Sequence, residues 1–121
     1  MSSPGRGYRG SVPRSNRDDA PASYLAAGSW PDGPLRADAP VSARYAQVFA
    51  RRLRDVIAER ALNPFAVERI TGVNRRTVER ALRGLVLPDF GAVARLETEL
   101  DVDLWPRRES ARVTGIGTQA R

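Results

Sequence analysis

Apolar residues recur every three or four positions over residues 42–60 and would therefore line one side of a helix. This stripe consists of Tyr45, Val48, Phe49, Leu53, Val56 and Ile57. The spacing predicts an amphipathic helix from about Ser42 to Arg60, with Ser42 as its N-cap. A short second helix is predicted from Asn63-Pro64 to about residue 70, because asparagine can cap a helix and proline suits its first position.

A third helix is predicted from about Arg75 to Arg83, with Asn74 as its N-cap and Gly84 as its C-terminal stop. Gly72 is predicted to end the second helix before it. At 100° per residue, its charged residues fall in one arc of roughly 140°. This arc contains Arg75, Arg76, Glu79, Arg80 and Arg83. The opposite side carries Val78, Ala81 and Leu82.

The last predicted helix begins after Asp89, which can cap it. Its apolar face consists of Val93, Leu96 and Leu100. A short closing turn or helix is predicted from Val102, Leu104 and Trp105, ended by Pro106. The pattern contains no convincing strand, so the predicted fold is all-α: a compact domain of four or five helices.

The two ends of the chain differ from this central part. Residues 1–40 are dense in Gly, Pro, Ser, Asp and Arg and show no sustained apolar period, so they are predicted to be a disordered tail. Residues 107–121 have a similar composition and are predicted to be a disordered basic tail. The helical domain is therefore assigned to residues 41–106.

The net charge of +6 on 121 residues favours a polyanionic partner. All 20 basic residues are arginine, which a GC-rich genome would also produce, so their number carries little weight. Their positions are more informative. Residues 69–83 hold five arginines and one acid, whereas residues 89–103 hold five acids and one arginine.

The chain has neither cysteine nor histidine, which excludes disulfides, thiolate metal sites and the commonest general base. We therefore expect no enzyme activity and no cofactor. No apolar stretch approaches the roughly 18 residues needed to span a bilayer, and the N-terminus lacks the apolar core of a signal peptide. The expected location is the cytoplasm, on the nucleoid, with no membrane partner.

The short second helix, the turn at Thr71-Gly72-Val73 and the amphipathic third helix have the spacing of a helix-turn-helix. Residues 48–105 resemble the Cro and lambda-repressor type helix-turn-helix family, also called the xenobiotic-response-element family. The matching positions are Val67, Gly72-Val73-Asn74, Thr77-Val78, Gly84, Leu87-Pro88-Asp89, Leu96, Leu100 and Asp101-Val102-Asp103-Leu104. Glu68 and Leu82 depart from the family pattern, which usually has a small alanine and a glutamate at these places.

The resemblance implies a sequence-specific DNA-binding transcriptional regulator whose third helix reads the major groove of double-stranded DNA. The predicted base-reading residues are Asn74, Arg75, Arg76, Thr77 and Glu79. The predicted phosphate-binding residues are Pro64, Phe65, Arg69, Arg80 and Arg83, with the start of the second helix, at Pro64 and Phe65, offering backbone N–H groups. Asn74 could instead be a cap alone, and Glu79 could orient the neighbouring arginines.

Several alternatives stay open at this point. The charged side of the third helix could be a solvated face in which Arg75 and Glu79 form an ion pair. The domain could be an adaptor that binds a polymerase, an element-encoded protein or a toxin through the acidic helix at about 89–100. Trp105 is interpreted as closing the hydrophobic core, with a homodimer contact as the alternative.

Overall fold

The fold is described by a computed structural model over residues 18–111. Within these residues the elements are a 3₁₀-helix at Pro21–Tyr24, α1 at Val41–Glu59, α2 at Pro64–Thr71, α3 at Arg75–Leu82, α4 at Phe90–Leu100 and a second 3₁₀-helix at Arg108–Ala111. The part described contains no strand beyond one isolated bridge between Leu25 and Leu35. The prediction of a compact all-α domain is confirmed.

Side-chain caps explain where two of these helices begin. The Asn63 carboxamide oxygen accepts a hydrogen bond from the Ala66 N–H at 2.8 Å at the start of α2. The Asp89 carboxylate does the same for the Ala92 N–H at 2.7 Å at the start of α4. Both predicted caps therefore satisfy backbone donors that the first turn of a helix leaves without a partner.

The predicted cap of α1 is wrong. Helix α1 begins at Val41, after Pro40, so Ser42 already lies in its first turn. The Ser42 hydroxyl instead donates a hydrogen bond to the Asp18 carboxylate at 2.6 Å. The sequence could not reveal this, because Asp18 lies in a region with no apolar period.

Helix α1 supplies the centre of the hydrophobic core with Phe49 and Leu53, which are 1% and 0% exposed. The other buried members of this core are Val67, Val73, Val78, Ala81, Ala92, Val93, Leu96, Leu100 and Leu104. Trp105 is half-buried against this core, with its ring centroid 5.4 Å from that of Tyr45 and 5.9 Å from that of Phe49. This is the core-closing position predicted for Trp105.

At residues 102–105, where a short closing turn or helix is predicted, the structure shows no helix. The Glu97 carboxylate accepts hydrogen bonds from the N–H groups of Leu104 and Trp105, both at 2.8 Å. These bonds hold Leu104 in the core, where it is 0% exposed.

Of the helices within residues 18–111, none is long and apolar enough to cross a membrane.

Residues 18–40 form an ordered segment, which we call the N-terminal strap. Its Ala22 N–H donates to the Gly84 carbonyl at 2.9 Å, and its Gly33 carbonyl accepts from the buried Gln47 amide at 2.6 Å. The ring of Trp30 lies directly against the backbone of Gly84. The strap therefore ties α1 to the end of α3.

The strap corrects the predicted domain boundaries. Disorder over residues 1–40 is wrong for residues 18–40, and residues 1–17 lie outside the described part. At the other end, residues 108–111 form a 3₁₀-helix that buries Ala111, whereas residues 112–121 lie outside the described part. The ordered domain spans at least residues 18–111 because non-local contacts, not local periodicity, fix both of its ends.

The contact between Trp30 and Gly84 makes a prediction about two glycines with left-handed backbones. Gly72 has φ +79° and open space where a Cβ would stand, whereas Gly84 has φ +71° and a Cβ there would lie 2.5 Å from the Trp30 ring. Gly72→Ala should lower the free energy of unfolding by about 1–2 kcal/mol through its backbone alone. Gly84→Ala should add an overpacking cost of about 1–3 kcal/mol.

Denaturant unfolding of both variants, with and without Trp30→Ala, measures these costs. The extra cost at Gly84 should disappear in the Trp30→Ala background. Equal losses at the two glycines in the native background would contradict the placement of Trp30.

Candidate nucleic-acid interface

Helices α2 and α3 are joined by a turn that is held by three hydrogen bonds. The buried Thr71 hydroxyl donates to the Val67 carbonyl at 2.7 Å and accepts from the Val73 N–H at 3.1 Å. Gly72 adopts the left-handed conformation that lets its N–H donate to the Glu68 carbonyl at 2.8 Å. Val73 is 2% exposed and fills the space between the helices. The turn therefore fixes α3 relative to α2.

The apolar side of α3 decides which of its side chains face solvent. Val78 and Ala81 are 1% and 5% exposed and pack into the core. Leu82 is half-buried against the same core, and Glu68 is half-buried on α2. On the outer side of α3, the exposed arginines are Arg76, Arg80 and Arg83, while Arg75, Thr77 and Glu79 are half-buried. Arg69 of α2 is also exposed.

Asn74 caps α3, as predicted. Its carboxamide oxygen accepts a hydrogen bond from the Arg76 N–H at 2.8 Å. The oxygen is thus engaged in the helix start, and the amide NH₂ is the group of this exposed side chain that is left to donate. The cap and a role in base reading are therefore compatible for Asn74.

Arg75 adopts a position that the sequence did not predict. Its guanidinium carbon lies 4.6 Å from the centroid of the Phe65 ring, in the first turn of α2. A cation–π contact at an exposed site contributes about 0.5–1 kcal/mol. The alternative of an ion pair between Arg75 and Glu79 is not observed, and among residues 18–111 Glu79 makes no side-chain hydrogen bond or ion pair with the neighbouring arginines.

Within residues 18–111, the charged side chains of α3 form no ion pairs. Within the described residues, ion pairs join Arg36 to Asp38 and Arg54 to Asp32 and Asp55, at 3.1, 2.7 and 3.2 Å. The hydrogen bond that Arg54 donates to Asp32 is the main cause of the raised pKa of Arg54. No carboxylate in residues 18–111 forms an ion pair with any of the arginines predicted to bind DNA. These are Arg69, Arg75, Arg76, Arg80 and Arg83.

Two of these arginines, Arg75 and Arg76, lie where the helix dipole is unfavourable to a cation. The first turn of α3 contains no acidic residue and begins with Arg75 and Arg76, at the end of the helix that carries positive partial charge. Arg76 and Arg80 are four residues apart, a spacing at which like charges on a helix destabilise it by about 0.2–0.5 kcal/mol. The start of α3 is therefore unfavourable for these cations and attractive to an anion, whereas Arg80 lies in the last turn, where the dipole favours a cation.

The start of α2 offers fewer donors than predicted. Pro64 has no N–H, so its predicted role as a backbone donor is wrong. The Ala66 and Val67 N–H groups donate to the side chain and the carbonyl of Asn63, at 2.8 and 2.9 Å. Phe65 retains the N–H of this turn that has no partner within residues 18–111.

The position of the Phe65 ring was not predicted from the sequence. Phe65 was predicted only as a backbone donor, yet its ring contacts Arg75 and is 61% exposed. The shortness of α2, which has 8 residues, is the signal that its first turn could lie within reach of Arg75. Among residues 18–111, no group of three or more acidic side chains gathers closely enough to hold a metal ion.

Comparison of the sequence and the fold with protein-family models, curated proteins and solved structures gave no match.

The turn can be tested at Thr71. Thr71→Val keeps the shape of the side chain but leaves the buried Val73 N–H without an acceptor, so the free energy of unfolding should fall by about 1–3 kcal/mol. Thr71→Ser keeps the hydroxyl and loses only a methyl group, so it should cost about 1 kcal/mol. Denaturant titration followed by circular dichroism measures both. A serine variant as unstable as the valine variant would contradict the importance of the hydroxyl.

Proposed function

We propose that this protein is a sequence-specific DNA-binding transcriptional regulator of the nucleoid, which inserts α3 into the major groove. The observation that carries the proposal is the outer side of α3, where arginines without carboxylate partners in the described residues project from a helix fixed by a helix-turn-helix turn. The resemblance of residues 48–105 to the Cro and lambda-repressor type family supports it.

In this proposal the two helices have different tasks. The N-terminal residues of α3 lie nearest the base edges, and α2 crosses the phosphate backbone. The exposed Arg76 guanidinium can donate two hydrogen bonds to O6 and N7 of guanine, and the amide of Asn74 can donate to an acceptor on a neighbouring base. Arg80 and Arg83 lie farther along α3 and bind phosphates.

Electrostatics makes DNA a suitable partner for this face. A duplex supplies the negative charge that the first turn of α3 lacks, and binding releases condensed counterions, which favours association at low salt. The repulsion between Arg76 and Arg80 is relieved when phosphates lie beside them. The affinity should therefore fall steeply as the salt concentration rises.

The proposal predicts a difference between two pairs of arginines. Arg76→Ala with Arg80→Ala should weaken binding to a selected duplex at least tenfold, since a lost bidentate contact to guanine alone is worth about 1–3 kcal/mol. The matched control is Arg95→Ala with Arg108→Ala, which removes the same charge from exposed sites on α4 and the C-terminal 3₁₀-helix. The control pair should change the affinity less than threefold.

The measurement begins with selection of tight binders from a pool of random duplexes by the full chain. Fluorescence anisotropy at several salt concentrations then gives the affinity of each variant for the selected duplex. Absence of binding to every duplex at low salt would refute the proposal. An equal loss of affinity in the two pairs would refute specific recognition by α3, because binding would then depend only on net charge.

A second candidate function is an adaptor that binds another protein. It is favoured by the apolar side chains exposed in and after the loop that follows α3, since Leu85, Leu87 and Phe90 are 47%, 42% and 87% exposed. Exposed apolar residues close together in sequence are typical of protein-binding surfaces. If no duplex binds, Phe90→Ser in an interaction screen tests this candidate.

A further inference from the structure

Arg75 occupies the first position of α3, and its side chain reaches back to α2. Its guanidinium lies over the ring of Phe65, 4.6 Å from the ring centroid. Phe65 is the second residue of α2, so the contact joins the first turns of the two helices. No acidic side chain among residues 18–111 forms an ion pair with Arg75, so the ring is the contact that holds this charge.

The place where the guanidinium is held has a consequence for DNA recognition. In a helix-turn-helix, the first helix of the pair crosses the sugar-phosphate backbone and the second enters the groove. A cation kept at the first turn of α2 therefore lies on the backbone side. The Phe65 N–H, which has no partner among the described residues, lies in the same turn. Phosphate contacts position a protein on DNA, whereas base contacts give specificity.

We propose that Phe65 is a positioning residue that holds Arg75 against the first turn of α2, so that Arg75 binds the phosphate backbone and Arg76 reads the base. This inference rests on the proposed function and assigns different tasks to two adjacent arginines. The ring does not fix Arg75 rigidly. A cation–π contact at an exposed site biases the orientation about twofold to fivefold, which is enough to favour one ligand over another.

The two arginines should then respond differently to removal. Arg75→Ala should weaken binding to all duplexes by a similar factor and lower the slope of log affinity against log salt by about 0.9, the value for one lost phosphate contact. The preferred sequence should not change. Arg76→Ala should instead abolish the preference for one base pair.

Variants of Phe65 test the positioning itself. Phe65→Leu keeps an apolar side chain but removes the aromatic ring, which frees Arg75 to reach the groove. Selection from random duplexes should then return a motif with an added or altered preference at one base pair. Phe65→Trp keeps the ring and should return the motif of the unaltered protein. Arg75→Ala in the Phe65→Leu background should remove the added preference.

A measurement without DNA tests the contact separately. In the free protein, the Phe65 ring current should shift the NMR signals of the Arg75 side-chain protons upfield. Phe65→Leu should abolish this shift, while the backbone amide spectrum of the core, including Val78 and Leu96, stays unchanged as a control for folding.

The outcomes separate the two proposals. If the full chain binds duplexes but Phe65→Leu leaves both the motif and the Arg75 signals unchanged, the role of Phe65 is refuted and the proposed function stands. If Arg75→Ala changes the preferred sequence, Arg75 is a base reader and the inference is overturned. If no duplex binds at low salt, the proposed function fails and this inference fails with it.

Discussion

Burial of Val78 and Ala81 is the interaction on which the arrangement of α3 depends. The helix is 8 residues long, and a helix of this length is not stable by itself in water. It forms because its one apolar side packs against the core built on Phe49 and Leu53. Because these two residues fix the side that faces the core, the charged residues of α3 lie on the other side, where Arg76 and Arg80 are exposed and Arg75 and Glu79 are half-buried.

The two arginines that begin α3 reduce the stability of the folded chain. Arg75 and Arg76 begin the helix where its dipole favours anions, and Arg80 follows Arg76 at a spacing at which like charges repel. Such local conflicts with stability are typical of functional surfaces, where binding of a partner compensates for the unfavourable charges. The engaged hydroxyl of Thr71, the cap of Asn74 and the packing of Val73 oppose these repulsions within the chain.

The sequence predicted the helices well because their signals are local. The predicted capping residues and the predicted glycine stop lie at the helix ends, and the apolar stripes lie in the core. The caps are Asn63, Asn74 and Asp89, and the glycine is Gly72. The N-terminal strap was missed because it is neither a helix nor part of a sheet along most of its length, so it has no period to detect. It is ordered by contacts with residues far along the chain.

The candidate site was predictable only in part. Exposure of Arg76, Arg80 and Arg83 follows from the helical period, but the orientation of a flexible arginine depends on its neighbours in space. The ring of Phe65 and the missing ion pair with Glu79 are properties of the packed structure. The donor assigned to Pro64 was excluded by elementary chemistry alone, since proline has no N–H.

The placement of the two tryptophans gives the molecule two separate optical reporters. Trp30 lies against Gly84 at the end of α3, and its indole N–H is buried with no hydrogen-bond partner among residues 18–111. Trp105 packs against Tyr45 and Phe49 beside α1. An indole without hydrogen bonds emits at short wavelength, so Trp30 emission reports directly on the end of α3. With Trp105 replaced by phenylalanine, loosening of that end would be visible as a red shift before the core unfolds.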